Sequence, residues 1–571
     1  MNQVRWWAMT VLLVLSSGIG CSTRLSRVTS GAGGLRRISV DSYVDKVKAG
    51  WVGQMVGTGW SEAIGDRYPG VIVPQSDVPQ WSPRLVNQFD ADNLCVEMTF
   101  LRTLEIFGVD VSSRQAGIEF ASSRYELDHG ALAARENLRN GIAPPDSGHP
   151  QFNPHAGDLD YQASAGFSGL IAPGMANVPV LLGEKFGRLM AYGDGLYGGQ
   201  FIGAMYAEAF FETDMTDVVK AALQYIPAES LYHQCIADVL RWHKRYPKDW
   251  TRTWHLLDER YHLDPSRRKF SCTGPTAELD LSAHLNGAYV VMALLYGQGD
   301  PERTTVIAMR CGQDARSNAA NAAGILFASI GFAGLPEEFT IALDPLTEFS
   351  GSFYGFPALI GVCDELTRKI VLNDGGRIEQ DSAGNAFYAI QSRRARSSRL
   401  EEAWLPGRPQ GSRFTEEEMA AITAPIGEDL SEAIEQFAPG WSVAKCGRGP
   451  LVGLVPQLRG RRNVLVTRPL SQEVGCVISR IVQLPADPSC TLRLVVGHDA
   501  RGDWDLILRI DGRQLLRKSI GLESTMAGWT EISVDLSRYA GETIKIELIN
   551  EATGWHYEAA YWGEISLDIN R

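Results

Sequence analysis

Two places in the chain set carboxylates ahead of an apolar stretch with helical spacing. Asp90-Ala91-Asp92-Asn93 precedes LCVEMTFLRTLEIF, and Gly312-Gln313-Asp314-Ala315-Arg316-Ser317-Asn318 precedes AANAAGILFASIG. A single Asp, Asn or Ser at a helix start is enough to accept the orphan amide hydrogens there. Acids at i and i+2 before one helix, with another acid before a second, exceed that need and point to a shared cation site built from oxygen donors. Three histidines, His129, His149 and His155, fall in loops. A loop histidine is more often a structural hydrogen-bonding group. His155, beside Asp158 and Asp160, is the best placed for acid–base or substrate work. In YGDGLYGG, Asp194 either caps the helix that follows or faces a ligand. Gly198 and Gly199 in the same run permit close backbone approach.

The elements that must position these groups follow from periodicity. Leu94, Met98, Leu101 and Leu104 recur at helical spacing, as do Ile202, Met205, Tyr206 and Ala209. Residues 280–298 and 318–332 are apolar and long enough for helices, and loops such as GIAPPDSGHPQFNPHAGDLD lie between. Residues 39–345 therefore read as one all-α domain with elaborate loops. Residues 346–445 read as an α-rich extension and linker, with helical pieces in 414–437 broken at Pro425-Ile426-Gly427. From 446 to 571 the texture changes. TLRLVVGHD, DLILRIDGRQLL, EISVDLS and TIKIELIN are short alternating or β-branched runs between Gly/Asp turns, the pattern of a β-sandwich. The fold class is multidomain: an all-α bundle followed by an all-β C-terminal sandwich.

Length and composition bound the function classes. The chain has 571 residues, 44% hydrophobic, 21% charged and 9% aromatic, a balance that excludes a disordered, collagen-like or polytopic membrane chain. The net charge of −13, with no dense basic run, excludes nucleic acid as the expected partner, because that affinity rests on Lys and Arg meeting phosphates. Arg5 and the apolar run Trp6–Leu15, too short to span a bilayer, are followed by small residues ending in Gly18-Ile19-Gly20-Cys21. Residues 1–21 read as a lipoprotein export signal with Cys21 as the lipidated residue, although Gly18 stands where such signals usually carry Leu. Residues 22–38 then form a tether, and the membrane is a partner through the lipid anchor. The other eight cysteines lack CxxC pairs and zinc spacing, and read mainly as buried free thiols.

Gly53-Gln54-Met55-Val56-Gly57, the cluster Asp90-Ala91-Asp92-Asn93-Leu94 and Cys311-Gly312-Gln313-Asp314, in that order, resemble the ADP-ribosylglycohydrolase family over roughly residues 40–340. NLRNGIAPPDSGHPQFNPHA, SGLIAPGM and Tyr192–Gln200 resemble a bacterial branch of it. The resemblance implies an all-α bundle whose cleft usually holds a pair of Mg²⁺ ions. It implies hydrolysis at the C1″ bond of a ribosyl unit by carboxylates and a water that the ions orient. On that likeness Glu62, Asp92 and Asp314 are the catalytic candidates. The implied metal ligands are Asp90, Asp92, Asn93, Asp314 and Ser317. The implied substrate-binding set is His155, Asp158, Asp160, Asp194, Gly198 and Gly199.

The chain departs from the family pattern at several of these positions. Asn93 stands where the first motif usually has an adjacent Asp, and Arg316 replaces the second Asp of the last motif, with Ser317 kept as a hydroxyl. Gly65 falls where relatives tend to carry a catalytic-looking Glu, which leaves Glu62 or Asp66 as substitutes. Ser164 and Gly166 lie near positions that are acidic in relatives. Fewer carboxylates weaken the attraction for a divalent ion, and Arg316 brings a fixed positive charge. Its guanidinium is expected to pair with at least one of Asp92 and Asp314 as a buried pair, in the place of one ion. The chemistries this leaves are a single-metal enzyme, a metal-free glycosidase, or a cleft that binds without catalysis.

At the C-terminal end, the run Val496–Trp504 with Gly528-Trp529 and Ala552-Thr553-Gly554-Trp555 resembles the sandwich modules appended to extracellular carbohydrate-active proteins. Exposed Trp would stack on sugar rings, whereas Trp buried in the sandwich core is the commoner outcome. Asp499, Arg501 and Asp503 are expected to organise a loop. Together these readings imply an exported glycoside hydrolase of ribosidic or ADP-ribosyl type with a degenerate Mg²⁺ site, acting on a small-molecule, nucleoside-like or glycan substrate. The rival is a non-catalytic sugar- or nucleotide-binding protein.

Overall fold

Ala-, Gly- and Leu-rich stretches form the helices of the first unit. In chain order the ones that matter to the site are α1 (Val40–Ser61), α2 (Asp92–Phe107), α3 (His129–Arg139), α4 (Asp160–Ala163), α5 (Asp194–Ala209), α6 (Leu231–Arg245), α7 (Ala283–Gly297), α8 (Pro301–Arg310), α9 (Ala315–Ile330) and α10 (Phe356–Asn373). The computed structural model describes residues 34–569 except 90, 124, 346, 348, 350, 351, 353, 423–429, 448–451, 486–489, 500, 501, 527 and 555–557. Asp90, Cys21, Arg501 and Trp555 thus lie outside the described residues.

Glycine sets the closest helix crossing. A Cβ on Gly53 would stand 2.5 Å from the Ala323 carbonyl oxygen, and one on Gly57 would stand 2.4 Å from that of Ala319. The Gly53–Gly57 stretch therefore lets α1 and α9 cross backbone to backbone, running in opposite directions. The end of α1 comes to lie against the start of α9.

The helical unit reaches beyond the bounds expected of it. Leu35–Ser39, placed in the tether by sequence, forms β1, and it pairs antiparallel with β3 (Ala386–Gln391), which also pairs with β2 (Arg377–Gln380). Ile38, Tyr388 and Ile390 enter the same core as α1, and α10 adds Leu359, Cys363, Leu366 and Ile370 to it. The reason is that the apolar faces of α10 and β3 have no other core to enter. Residues 392–413 then cross the helical unit without regular structure. Asp146 accepts the amides of Gln410 and Ser412 at 2.8 Å each, and the His149 ring meets the Gly407 carbonyl at 2.9 Å.

The second unit opens with α11 (Leu430–Phe437). Its strands are β4 (Ser442–Ala444), β5 (Gly453–Leu458), β6 (Arg461–Thr467), β7 (Cys476–Gln483), β8 (Cys490–His498), β9 (Trp504–Ile510), β10 (Arg513–Ile520), β11 (Trp529–Asp535), β12 (Thr543–Glu551) and β13 (Ala560–Ile569). They make two five-stranded sheets in the orders β10-β9-β12-β7-β4 and β11-β8-β13-β6-β5. Alternate residues Leu492, Leu494 and Val496 of β8, and Leu506, Leu508 and Ile510 of β9, fill the core. Ala433, Ile434 and Trp441 join that core, so the sandwich unit starts near α11, ahead of residue 446. Trp504, Trp529 and Trp562 are buried, which makes them packing residues and leaves no described Trp of these motifs to stack on a sugar. Cys235, Cys272, Cys311, Cys363, Cys446, Cys476 and Cys490 are free thiols. Among the described residues no helix is long and apolar enough to cross a membrane.

Candidate active site

The start of α9 is fixed from three sides. Gly312 has φ +75°, and a Cβ there would lie 2.5 Å from the Val71 carbonyl oxygen. Gln313 Oε1 accepts the Asp280 amide at 2.8 Å, and its Nε2 donates to the Glu278 carbonyl at 3.0 Å. The amide of Ala315 donates to the Gly65 carbonyl at 3.2 Å. Asp314 is thereby placed as N-cap of α9. Its Oδ1 accepts the Ser317 amide at 3.0 Å and its Oδ2 the Ser317 hydroxyl at 2.9 Å. An ionised carboxylate has about four acceptor positions, so Asp314 caps the helix and keeps acceptor capacity.

Arg316 projects from the first turn of α9 toward the ends of α1 and α2. Its Nη1 is 3.5 Å from Glu62 Oε2, and its Nη2 is 3.9 Å from Asp92 Oδ1. The guanidinium is 33% exposed and Glu62 60% exposed. Of the two acids expected to pair with it, Asp92 is the one it meets, and the correction is to its burial. The pairing is loose and partly solvated, and runs to Asp92 and Glu62, with Asp314 acting on Arg316 through space. Burial works to lower the Arg316 pKa, but the three carboxylates outweigh it and raise it.

The same cluster of charges continues toward α3 and α4. Burial raises the Asp92 carboxyl, Arg316 opposes that, and Asp314 and Asp128 add to it. Asp160 Oδ1 accepts the Ala131 amide at 2.9 Å at the start of α3. Burial, then the charge of Asp158, pushes its carboxyl up to about 8, and Asp92 contributes. His155 Nδ1 lies 2.8 Å from Asp158 Oδ2, and that bond raises the His155 pKa. Asp92, Asp128, Asp160, Asp158 and His155 thus form one electrostatically connected wall. Asp128, just before α3, carries no motif by which sequence reading could have found it.

Other expected site residues are placed elsewhere. Asn93 is buried, and its Nδ2 donates to the Ala163 carbonyl at 3.4 Å, so it ties α2 to α4 and does not face the mouth. Asp194 is 8% exposed, and its Oδ1 accepts the Tyr232 amide at 3.2 Å in α6. Gly198 and Gly199 pack inside the bundle. A Cβ on Gly198 would stand 2.6 Å from Gln162 Oε1, and one on Gly199 2.2 Å from the Tyr161 ring. Asp194 thus ties α5 to α6, and the two glycines let α5 cross α4 closely.

Residues 82–372 match the family model described as ADP-ribosylglycohydrolase. No curated protein matches the chain. Among solved structures, an "ADP-ribosylglycohydrolase-related protein complex" is 14% identical and covers 58% of this chain and 99% of its own, with a TM-score of 0.36. A family 35 carbohydrate binding module from an environmental isolate is 16% identical over 20% of this chain and 82% of its own, with a TM-score of 0.17. The CBM22-1 xylan-binding domain from Paenibacillus barcinonensis Xyn10C is 14% identical over 23% and 87%, with a TM-score of 0.19. With the family model spanning 82–372 of 571 residues, the chain belongs to the ADP-ribosylglycohydrolase family.

Proposed function

We propose that the chain hydrolyses a ribosidic bond of ADP-ribosyl type, with Arg316 standing where relatives keep an acid for a cation. The observation that carries this reading is the meeting of Asp92, Asp314 and Arg316 at one mouth in a member of this family. Glycoside cleavage needs one carboxyl that holds a proton and another that is charged. Asp160, whose carboxyl is raised by burial and by the charge of Asp158, is the group to donate a proton to the leaving group. Asp92, next to a guanidinium, is the group to orient water. Arg316 presents a planar fork of donors suited to a diphosphate or to vicinal hydroxyls.

The described donors do not fit a pair of Mg²⁺ ions. A guanidinium stands 3.9 Å from Asp92, and the Asn93 amide is turned to Ala163. The test is release of free ADP-ribose from ADP-ribosylated peptides and of aglycone from a furanoside panel, each with and without chelator. Turnover that survives chelation and falls at least a hundredfold in Asp92→Asn is expected. A folded protein that binds ADP-ribose in calorimetry and turns over no substrate overturns hydrolysis in favour of a binding protein.

We further propose export and anchoring through a lipid on Cys21, which would bring the cleft to an extracellular glycan or nucleoside-like substrate. Stable anchoring takes more than one acyl chain, and a lipoprotein cysteine carries several. Cys21→Ala should release the protein or block its processing. Unchanged membrane retention with an intact N-terminus excludes the anchor.

A further inference from the structure

One trio of side chains brings together donor types that glycoside hydrolysis does not need. A ring nitrogen of His155, a carboxylate oxygen of Asp158 and Sγ of Cys272 all lie within 4.8 Å of one another, and no other such group of three is found among the described residues. Sequence spacing carries no hint of it, because the trio is assembled from two loops far apart in the chain. The first loop is held by Asn153, whose Oδ1 accepts the His155 amide at 2.9 Å and whose Nδ2 donates to the carbonyls of Gly130 and Met190 at 3.0 Å each. The second is organised by the fully buried Arg268, 3.2 Å from Asp280. Arg268 also donates to the carbonyls of Ala277 and Leu279 and to Thr273 Oγ1, next to Cys272. Backbone bonds from Leu159 to Leu281 (3.0 Å) and from Ala283 to Gly157 (3.1 Å) stitch the two loops together.

Asp158 is the telling member. It is 2% exposed, and while its Oδ2 faces His155 at 2.8 Å, its buried Oδ1 has no nitrogen or oxygen donor. The weak donor beside this carboxylate is the Cys272 thiol. A buried carboxylate oxygen so poorly satisfied is costly, and a bound cation would relieve it. Burial, the charge of Asp158 and that hydrogen bond raise the Cys272 pKa.

We propose that His155, Asp158 and Cys272 form a mononuclear site for a divalent cation of the Zn²⁺ class. Sulfur and imidazole donors select such ions over Mg²⁺, which prefers oxygen alone. Three protein ligands leave a fourth position open, as in Zn²⁺ sites that also hold water or a ligand. Binding displaces the thiol proton, which passes to the buffer, and His155 binds as the neutral imidazole, its remaining N–H on the nitrogen that does not meet the ion. No oxidation is involved. The site does not rest on the hydrolytic reading, since its test reads metal binding alone.

The experiment uses the folded mature chain stripped with chelator. Zn²⁺ titrated in two buffers of different ionisation enthalpy should bind at one ion per chain with net proton release. Co²⁺ should give tetrahedral visible bands and a thiolate-to-cobalt charge-transfer band. Cys272→Ser should abolish that band and, like His155→Ala, weaken Zn²⁺ binding by roughly 10–100-fold, while Cys446→Ser in the sandwich leaves both intact. Circular dichroism checks that each variant is folded, and the Co²⁺ spectrum of the unaltered chain decides if one is not. No stoichiometric binding, an all-oxygen cobalt spectrum, or affinity unchanged in Cys272→Ser overturns the proposal.

Discussion

Asp314 and Asp194 each follow a glycine or glycine-rich turn held at positive φ, and each opens a Gly/Ala-rich helix. At α9 the second residue beyond the cap is Arg316, which reaches out to Glu62 and Asp92. Asp314 thus stands half-buried at a charged mouth. At α5 the start is covered by α6, so Asp194 is enclosed and accepts the Tyr232 amide. The same local signal therefore produced a member of a charge cluster in one place and a packing residue in the other. The difference lies in which helix covers each start.

Four measurements would break or sharpen this contrast. The largest expected effect is on turnover. Asn caps a helix as well as Asp, so Asp314→Asn keeps the cap and should lower kcat by about 10²–10⁴-fold. Asp194→Asn should leave kcat/KM within about threefold, against that hundredfold or greater loss. Equal losses in the two variants would erase the distinction.

Next comes pH. Burial raises Asp194 to about 7, with the Tyr232 amide opposing it. A carboxyl whose folded pKa is raised contributes full stability below its unfolded value, and that contribution is lost as pH rises through the folded one. The wild type should therefore lose stability between about pH 4 and pH 7. Asp194→Asn should be more stable than wild type at pH 8 by roughly 2–4 kcal/mol and equal to it near pH 3. Glu97, fully buried and pushed up to about 8, should make Glu97→Gln behave the same way with the loss ending about one unit higher. Urea unfolding across that range reads both.

Third is packing. Gly199→Ala drives a methyl toward the Tyr161 ring and should cost about 1–3 kcal/mol, read as a fall in Tm with activity per folded molecule retained. Selective loss of substrate affinity with Tm unchanged would instead return Gly199 to the site. The smallest effect is at Arg316. Its pairs are loose and a third exposed, so Arg316→Ala should change stability by less than about 1 kcal/mol. Arg316→Asp should gain measurable Mg²⁺ binding in calorimetry. A large destabilisation would mean the guanidinium is buried in solution.

The order of texture along the chain was legible without any structure. Apolar repeats at 3.6 spacing before residue 345 and alternating runs after 446 made helices and strands, since each pattern buries one face only in its own geometry. The motifs at Asp92 and at Cys311–Asp314 lie around one guanidinium, and an acid ahead of a helix is visible locally. Gly198 and Gly199 were misread because close approach by a backbone looks the same in sequence whether the neighbour is a ligand or the Tyr161 ring. The unit boundaries slipped for a related reason. β1 and α11 are short, and each is assigned by the core it enters, which no local pattern records.

Residue types and their local order thus determined the helix-then-sheet architecture, the family and the presence of a fixed cation in an acidic motif. Which carboxylates share one wall, whether Arg316 is buried, and that Cys272 stands against Asp158 were decided by tertiary structure alone. Coulombic and metal-ligand interactions act over a few ångströms, and only the packing of distant helices and loops brings those groups within that range.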